Sequence, residues 1–282
     1  MLFISRDYNF QTTDKSARIL RCKACGSIYP EIFPNSETLG QAYANYYTTP
    51  TQARHRWSIV RPHDAFRREY LRRSAPSDAR RILDYGCGSG EYLSSLSATG
   101  FTGEVWGTDI FKPEHLPKPI NWAALDDMGP DISFDWITLG HVLEHVAKPR
   151  PLLEQLKGRL APNGAIWIAT PNADSFLINT TLHWARDVDF PRHREVYTRE
   201  GLTAFLGSLG LEGRYIEPPA VNAALNTLSS LKNVMADRSV PLYGRLKVAV
   251  GTLVTLIDHL LSGQTLRLRH APELVVVCRS MD

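Results

Sequence analysis

The fold is decided by the stretch Ile82–Glu91, which reads ILDYGCGSGE and runs from an apolar strand through a glycine-rich turn into a helix. Glycine is needed where the backbone adopts a positive φ or approaches a ligand closely, and Gly86, Gly88 and Gly90 are spaced one residue apart. A dinucleotide-binding turn would instead space its glycines as GxGxxG, with a pyrophosphate at the helix N-terminus. Asp84 ends the strand, and its carboxylate would repel a pyrophosphate but could hold an ammonium group. The turn therefore predicts a ligand with an amino-acid end.

A second acidic residue follows the next predicted strand, in the stretch Val105–Asp109 (VWGTD). A carboxylate at this position can accept hydrogen bonds from both hydroxyls of a ribose. Dinucleotides and other nucleosides both carry a ribose, so Asp109 indicates a nucleoside without specifying which one. The alternative for Asp84 and Asp109 is ordinary capping of a helix or turn.

Strand and helix patterns alternate after a boundary at Ser74–Ser77 (SAPS). Apolar runs of strand length are bounded by Gly, Pro, Asp or Asn, and two amphipathic patterns have helical spacing. The alternation predicts an α/β fold with a mostly parallel, doubly wound sheet covered on both faces. The predicted strands are Arg81–Tyr85, Glu104–Thr108, Asn121–Leu125, Phe134–Leu139, Ala165–Thr170, Leu211–Glu217 and Glu273–Arg279, and the clearest helices are Pro151–Leu160 and Thr198–Leu209.

Three regions of the chain are expected to differ in organisation. Residues 1–75 are rich in proline and aromatic residues and are predicted to be irregular, whereas residues 76–282 form the α/β domain. A helical insertion at 220–263 precedes the last strand. Its apolar stretch Leu246–Leu261 is too short and too polar to span a bilayer, and it is expected to pack on its own domain, with a lipid or partner surface as the alternative.

The composition limits the class of protein. The 282 residues, 43% of them hydrophobic, are enough for one substantial core, and a net charge of +3 gives no broad basic face for nucleic acid. We expect no nucleic-acid partner, no transmembrane segment and no signal peptide, because no apolar run is long enough. The four cysteines do not resemble a disulfide framework, so a cytoplasmic protein is predicted.

The motifs together resemble class I S-adenosylmethionine-dependent methyltransferases over about residues 80–280. Within that class the chain is similar to the ubiquinone-pathway O-methyltransferases and to methyltransferases of sugar and glycan biosynthesis. The resemblance implies a Rossmann-like, seven-stranded sheet whose last strand is antiparallel. The stretches that carry it are Leu83–Gly90, Gly107–Asp109, Phe134–His145 and Leu160–Asn172.

The resemblance also implies roles for individual residues in binding S-adenosyl-L-methionine. The methionine part would lie against Asp84, Gly86 and Gly88, and the ribose would bind Asp109. Further contacts are implied beside the adenine and near the sulfonium, for Ile110, Leu125, Asp126 and Gly140. Cys87 fills a variable position and is interpreted as packing.

Three histidines are candidates for the base that takes a proton from the methyl acceptor, because the pKa of histidine lies close to neutral pH. His141 and His145 follow the predicted fourth strand and are expected to share one helical face, with Glu144 adjacent. His193 lies in the later loop Asp189–Glu195. A structural role is the alternative for each histidine. Divalent-metal binding by His141, Glu144 and His145 is a further alternative, and no metal is assigned.

Cys22 and Cys25 form a CxxC knuckle of the kind that supplies half of a tetrahedral zinc site. Some methyltransferases that the chain resembles begin with a two-knuckle zinc ribbon followed by an aromatic segment, which Ala42–Thr48 matches. The knuckle is therefore interpreted as a remnant of such a ribbon, and zinc binding stays open.

The predicted activity is transfer of a methyl group from S-adenosylmethionine to a hydroxyl of a small molecule or a sugar or glycan precursor. The acceptor rests on the resemblance alone. One alternative is a non-catalytic protein that binds S-adenosylmethionine. The other is a nicotinamide-dependent oxidoreductase, which Asp84 and the glycine spacing disfavour.

Overall fold

The computed structural model describes residues 2–7, 9, 13–44, 74–98, 100–110, 119–182, 185–217 and 271–281, together with scattered positions between 228 and 253. Its contacts divide the chain into two compact units. The first contains Met1–His63, Pro171–Leu202 and Glu217–Leu274, and the second contains Asp64–Thr170, Thr203–Ile216 and Val275–Asp282.

A seven-stranded sheet consists of β4 (Arg81–Tyr85), β5 (Glu104–Thr108), β6 (Asn121–Trp122), β7 (Phe134–Gly140), β8 (Leu160–Pro171), β9 (Leu211–Ile216) and β10 (Glu273–Ser280). These strands lie in the order β6-β5-β4-β7-β8-β10-β9. Strands β4 to β8 pair in parallel wherever they are neighbours, and β10 pairs antiparallel with β9, Val275 opposite Ile216. The predicted doubly wound sheet with an antiparallel last strand is confirmed.

Strands β4 and β7 carry runs of buried residues, as expected of a parallel sheet covered on both faces. Ile82, Trp136 and Trp167 pack with Leu93 and Leu96 of the helix after β4 in one core cluster of the second unit. Burial of each such side chain contributes about 1.5–3 kcal/mol, so this core fixes the strand ends that carry the candidate site.

The described helices are α1 (Ser36–Ala44), α2 (Glu91–Ala98), α3 (Pro149–Lys157), α4 (Phe176–Thr181) and α5 (Arg199–Gly207). The helix expected at 151–160 begins and ends a few residues earlier, because Leu160 already pairs with Phe134 in the sheet. The N–H of Gly201 donates to the Thr198 hydroxyl at 2.9 Å, so Thr198 caps α5 as predicted. The strand expected at 121–125 stops at Trp122, and Leu125 begins a 3₁₀ turn.

The expectation of an irregular N-terminal region is wrong for its described part. Strands β1 (Phe3–Arg6), β2 (Ser16–Arg21) and β3 (Ile28–Pro30) form an antiparallel sheet in the first unit. Phe3, Ile19 and Ile28 are buried there in a second core cluster. These strands are only three to six residues long, which is too short for an alternation of apolar and polar residues to be recognised in the sequence.

Most of the predicted insertion at 220–263 lies outside the described residues, as do Tyr46 and Tyr47 of the aromatic segment. The described positions between 228 and 253 are helical.

Candidate functional site

The glycine-rich turn between β4 and α2 is held by the end of β5. The N–H groups of Gly86 and Cys87 donate to the carbonyl oxygen of Thr108 at 2.8 and 3.0 Å. Gly86 has a φ of 81°, and a Cβ there would lie 2.3 Å from Cγ2 of Val142, so only glycine fits. Gly88 also has a positive φ, 52°, but among the described residues a Cβ there would have no neighbour within 4 Å. The turn is closely packed at its start and open at Gly88.

Asp109 lies directly against this turn. Its Oδ2 accepts a hydrogen bond from the N–H of Gly88 at 2.8 Å, which brings together two residues that the sequence assigned to one ligand. Glycine at position 107 lets β5 lie this close to the glycine-rich turn, because a Cβ on Gly107 would lie 2.8 Å from Sγ of Cys87. The carboxyl ends of β4 and β5 therefore present a carboxylate and an open glycine side by side.

Asp84 is buried beneath the turn. Its register partner on β7 is Thr138, whose hydroxyl donates to Oδ1 of Asp84 at 2.7 Å. A buried carboxylate is costly unless it is hydrogen-bonded, so this hydroxyl helps to keep Asp84 in place. Thr138 was not predicted from the sequence. A threonine in the middle of an apolar strand beside the motif strand was the signal that could have found it.

Two neighbouring side chains stay neutral near these acids. Burial, and then the charges of Asp109 and Asp126, raise the pKa of the Tyr85 hydroxyl. Burial, and then the charges of Asp84 and Asp109, raise the pKa of Cys87 to about 12. Cys87 is buried in the second unit's core cluster, in agreement with its interpretation as packing.

The residues expected near the adenine and the sulfonium have different environments. Ile110 is 79% exposed. Leu125 is buried, whereas the exposed Asp126 accepts a hydrogen bond from Gln155 at 2.6 Å. Gly140 is the last residue of β7. Their contacts with a cofactor remain predictions.

The loop after β7 holds a buried carboxylate against a histidine. Glu144 is fully buried, and its two oxygens contact Nδ1 of His141 at 3.2 Å and accept from the Thr170 hydroxyl at 3.0 Å. The expected shared helical face of His141 and His145 is wrong, because only Leu143–His145 form a 3₁₀ turn and His141 precedes it with a φ of 56°. If Glu144 is ionised, its oxygens can only accept, so Nδ1 of His141 would donate and Nε2 would carry the lone pair of the neutral ring.

His145 ends that 3₁₀ turn and is half-buried, with its backbone N–H donating to the carbonyl oxygen of Val142 at 2.9 Å. The sequence placed His145 correctly in the loop after β7. Its role as a base remains a prediction.

His193 belongs to the first unit and sits in a densely paired loop. Its Nδ1 lies 2.8 Å from the carbonyl oxygen of Asp187, and its Nε2 lies 3.9 Å from Asp189. Arg192 is fully buried and pairs with Asp189 at 2.7 Å and with Asp7 at 2.5 Å. The loop Asp189–Glu195 is thus built around a buried ion cluster that was not predicted from the sequence.

The CxxC knuckle lies in the first unit, with both thiols free and half-exposed. The backbone N–H groups of Cys25 and Ala24, and then the Cys25 thiol, hydrogen-bond to Cys22 and lower its pKa. Lowering the pKa increases the thiolate fraction, which is the form that binds metals and reacts with electrophiles. Zinc binding at this knuckle stays a prediction.

A family model described as a methyltransferase domain matches residues 56–215, which is more than half of the chain. The chain therefore belongs to the methyltransferase-domain family, and its resemblance to class I S-adenosylmethionine-dependent methyltransferases is confirmed. The α/β sheet and the turn at Gly86 define this class of protein.

Two curated relatives of the chain are O-methyltransferases of ubiquinone biosynthesis. The mitochondrial ubiquinone biosynthesis O-methyltransferase of Candida albicans is 32% identical over 122 residues, covering 38% of this chain and 37% of that protein. The enzyme of the same name from Paracidovorax citrulli is 29% identical over 121 residues, covering 37% of this chain and 50% of that protein. The chain thus spans half or less of the length of these two relatives.

Solved structures share the fold at low sequence identity. The [4+2]-cyclase SpnF has a TM-score of 0.52 and 14% identity, covering 88% of this chain and 97% of that one. The plantazolicin methyltransferase BamL has a TM-score of 0.50 and 14% identity, covering 87% and 95%. Because one of these neighbours is a cyclase, the fold alone does not determine the reaction.

Proposed function

We propose that the protein transfers a methyl group from S-adenosylmethionine to a hydroxyl oxygen of a small molecule. The observation that carries this proposal is the hydrogen bond between Asp109 and Gly88, beside a turn that is open at Gly88. The names of the curated relatives, O-methyltransferases of ubiquinone biosynthesis, support oxygen as the accepting atom.

The residues at the carboxyl ends of β4 and β5 suit this cofactor. Among the described residues, nothing lies within 4 Å of a Cβ placed on Gly88, which leaves room for a ligand against the backbone. Asp109 offers a carboxylate for the ribose hydroxyls. Ile110 presents an exposed apolar surface on which an adenine could pack. Asp84 would hold the ammonium of the methionine part, directly or through water.

When bound, S-adenosylmethionine supplies an electrophilic methyl group on a positively charged sulfur. The protein must then align the acceptor and take its proton. We assign the proton to Nε2 of His141, because Glu144 engages Nδ1 and would stabilise the imidazolium that forms. Thr170 holds the other oxygen of Glu144 and so fixes the pair. His145 and His193 remain candidates for the same role.

The test is methyl transfer from radiolabelled cofactor to panels of phenols, catechols and nucleotide sugars, the last representing glycan precursors. We expect His141→Ala to lower kcat by about 10²–10⁴-fold with little change in cofactor affinity, as for loss of a general base. Glu144→Gln should also lower kcat, but by a smaller factor. Its matched control is Glu154→Gln, which makes the same change at an exposed position.

Transfer that is unchanged in His141→Ala and abolished in His145→Ala or His193→Ala would reassign the base. Cofactor binding with no transfer to any acceptor class would favour the non-catalytic alternative.

A further inference from the structure

A stripe of large apolar side chains faces solvent in the helical region before the last strand. Its described members are between 52% and 83% exposed and lie in helical conformation. At 100° per residue they fall within about 100° of one another around a helix axis. The apolar stripe consists of Leu242, Tyr243, Leu246, Val250 and Leu253.

The flank of this helical region is less exposed. By helical spacing, Arg245 and Ala249 lie about 110° and about 70° from the middle of the apolar stripe, and both are half-buried. An amphipathic helix of a globular protein ordinarily turns its apolar stripe to the core, whereas the five residues of this apolar stripe turn outward. The expected packing of this region on its own domain therefore does not account for the apolar stripe. Exposed contiguous apolar surface of this kind marks an interaction site.

Positive charge is concentrated in the same part of the sequence. Residues 228–270 contain six Lys or Arg residues and two Asp residues, a net charge of +4, whereas the whole chain carries +3. The remainder of the chain is thus close to neutral. An apolar stripe combined with local positive charge has the chemistry of a helix that lies at the surface of an anionic bilayer.

We infer that the apolar stripe docks this protein onto the surface of an anionic lipid bilayer, with the stripe in the acyl boundary and Arg245 at the headgroups. Among the described residues, no helix is long and apolar enough to cross a membrane. A second copy of the chain is a poorer occupant, because two such segments would bring like charges together. The inference stands independently of the proposed methyl transfer.

The test is flotation of the full chain with vesicles of phosphatidylcholine alone and of phosphatidylcholine with roughly one-third phosphatidylglycerol, an anionic lipid. We expect flotation with the anionic vesicles, weakened by high salt because salt screens the headgroup charge. Arg245→Gln should lower partitioning onto anionic vesicles by about fivefold, the effect of one basic residue near such a surface.

The double variant Leu246→Gln/Leu253→Gln should lower partitioning by at least about tenfold. Its matched control is Ile4→Gln/Ile32→Gln, which removes two exposed apolar side chains elsewhere in the first unit and should float like the wild type. Unchanged thermal unfolding of both variants shows that the fold is retained.

Three outcomes would overturn the inference. One is absence of flotation with anionic vesicles. Another is flotation that the two double variants reduce equally. The third is a dimer in solution that Leu246→Gln/Leu253→Gln dissociates without any vesicle binding, which would assign the apolar stripe to contacts between copies.

Discussion

Gly86 and Gly88 share a positive φ but differ in what a side chain would meet. We expect Gly86→Ala to lower the free energy of unfolding by about 2–4 kcal/mol, because its Cβ would collide with Val142 as well as strain the backbone. Gly88→Ala should cost only about 1–2 kcal/mol of strain but weaken binding of S-adenosylhomocysteine by at least about tenfold. Urea unfolding and calorimetry measure the two effects, and equal affinity in Gly88→Ala and wild type would contradict the placement of the cofactor.

Asp109 is the residue on which the ribose assignment depends. Asp109→Asn keeps the shape but removes the charge, and we expect it to raise the KM for the cofactor by at least about tenfold, with a smaller change in kcat. Asp131→Asn, at an exposed position, is the matched control and should leave both constants unchanged. A kcat effect without a KM effect would argue against ribose binding.

The cysteines differ in thiolate content. The pKa of Cys22 is lowered by backbone N–H groups, whereas burial raises the pKa of both Cys87 and Cys278 to about 12. Iodoacetamide at neutral pH should therefore alkylate Cys22 well before Cys87 and Cys278 in the native protein. Peptide mass spectrometry over a time course reads out the order, and early labelling of Cys87 would show that the glycine-rich turn opens.

At the scale of elements, the loop 189–195 is predicted to depend on its buried ion cluster. Burial raises the pKa of Asp189, but the hydrogen bond from Arg192, the charges of His193 and Arg192, and the hydrogen bond from Asn9 together leave it below its usual value. A carboxyl whose pKa is lowered by folding adds stability above its unfolded pKa of about 3.9, and that stability is lost as the pH falls through the folded value.

The test of this cluster is urea unfolding at pH 7 and pH 3. Asp189→Asn should cost about 3–5 kcal/mol at pH 7, because it leaves Arg192 with one buried carboxylate partner. The cost should shrink at pH 3, where the wild type has begun to lose the same interaction. An equal cost at both pH values would mean that Asp189 is not ionised in the folded protein.

The elements also show what sequence reasoning can reach. Strands β4 and β5 were predicted to the residue, because apolar runs ending in Gly and Asp have few other interpretations. The N-terminal sheet was missed although its strands pair with their neighbours in sequence, because strands this short show too little alternation of apolar and polar residues. The ion pair between Asp7 and Arg192 was missed for a different reason, as 185 residues separate its members. The supposed helix at His141 failed because a positive φ there ends any helical periodicity.

At the scale of the whole molecule, the family is established by the match over residues 56–215, whereas the reaction rests on a few side chains. The second unit carries the cofactor-site candidates Asp84, Gly88 and Asp109, together with the His141–Glu144 pair. The first unit carries His193, the CxxC knuckle and the apolar stripe. The cofactor-site candidates can be tested by cofactor binding alone, so this test does not require the methyl acceptor to be known.

The central claim is that the site at Asp109 and Gly88 binds S-adenosylmethionine, and calorimetric titration of the full chain with S-adenosylhomocysteine tests it most directly. We predict binding of one molecule per chain, weakened at least about tenfold in Asp109→Asn, and no comparable binding of NAD. Absence of binding to S-adenosylhomocysteine, or equal affinity for NAD, would contradict this claim.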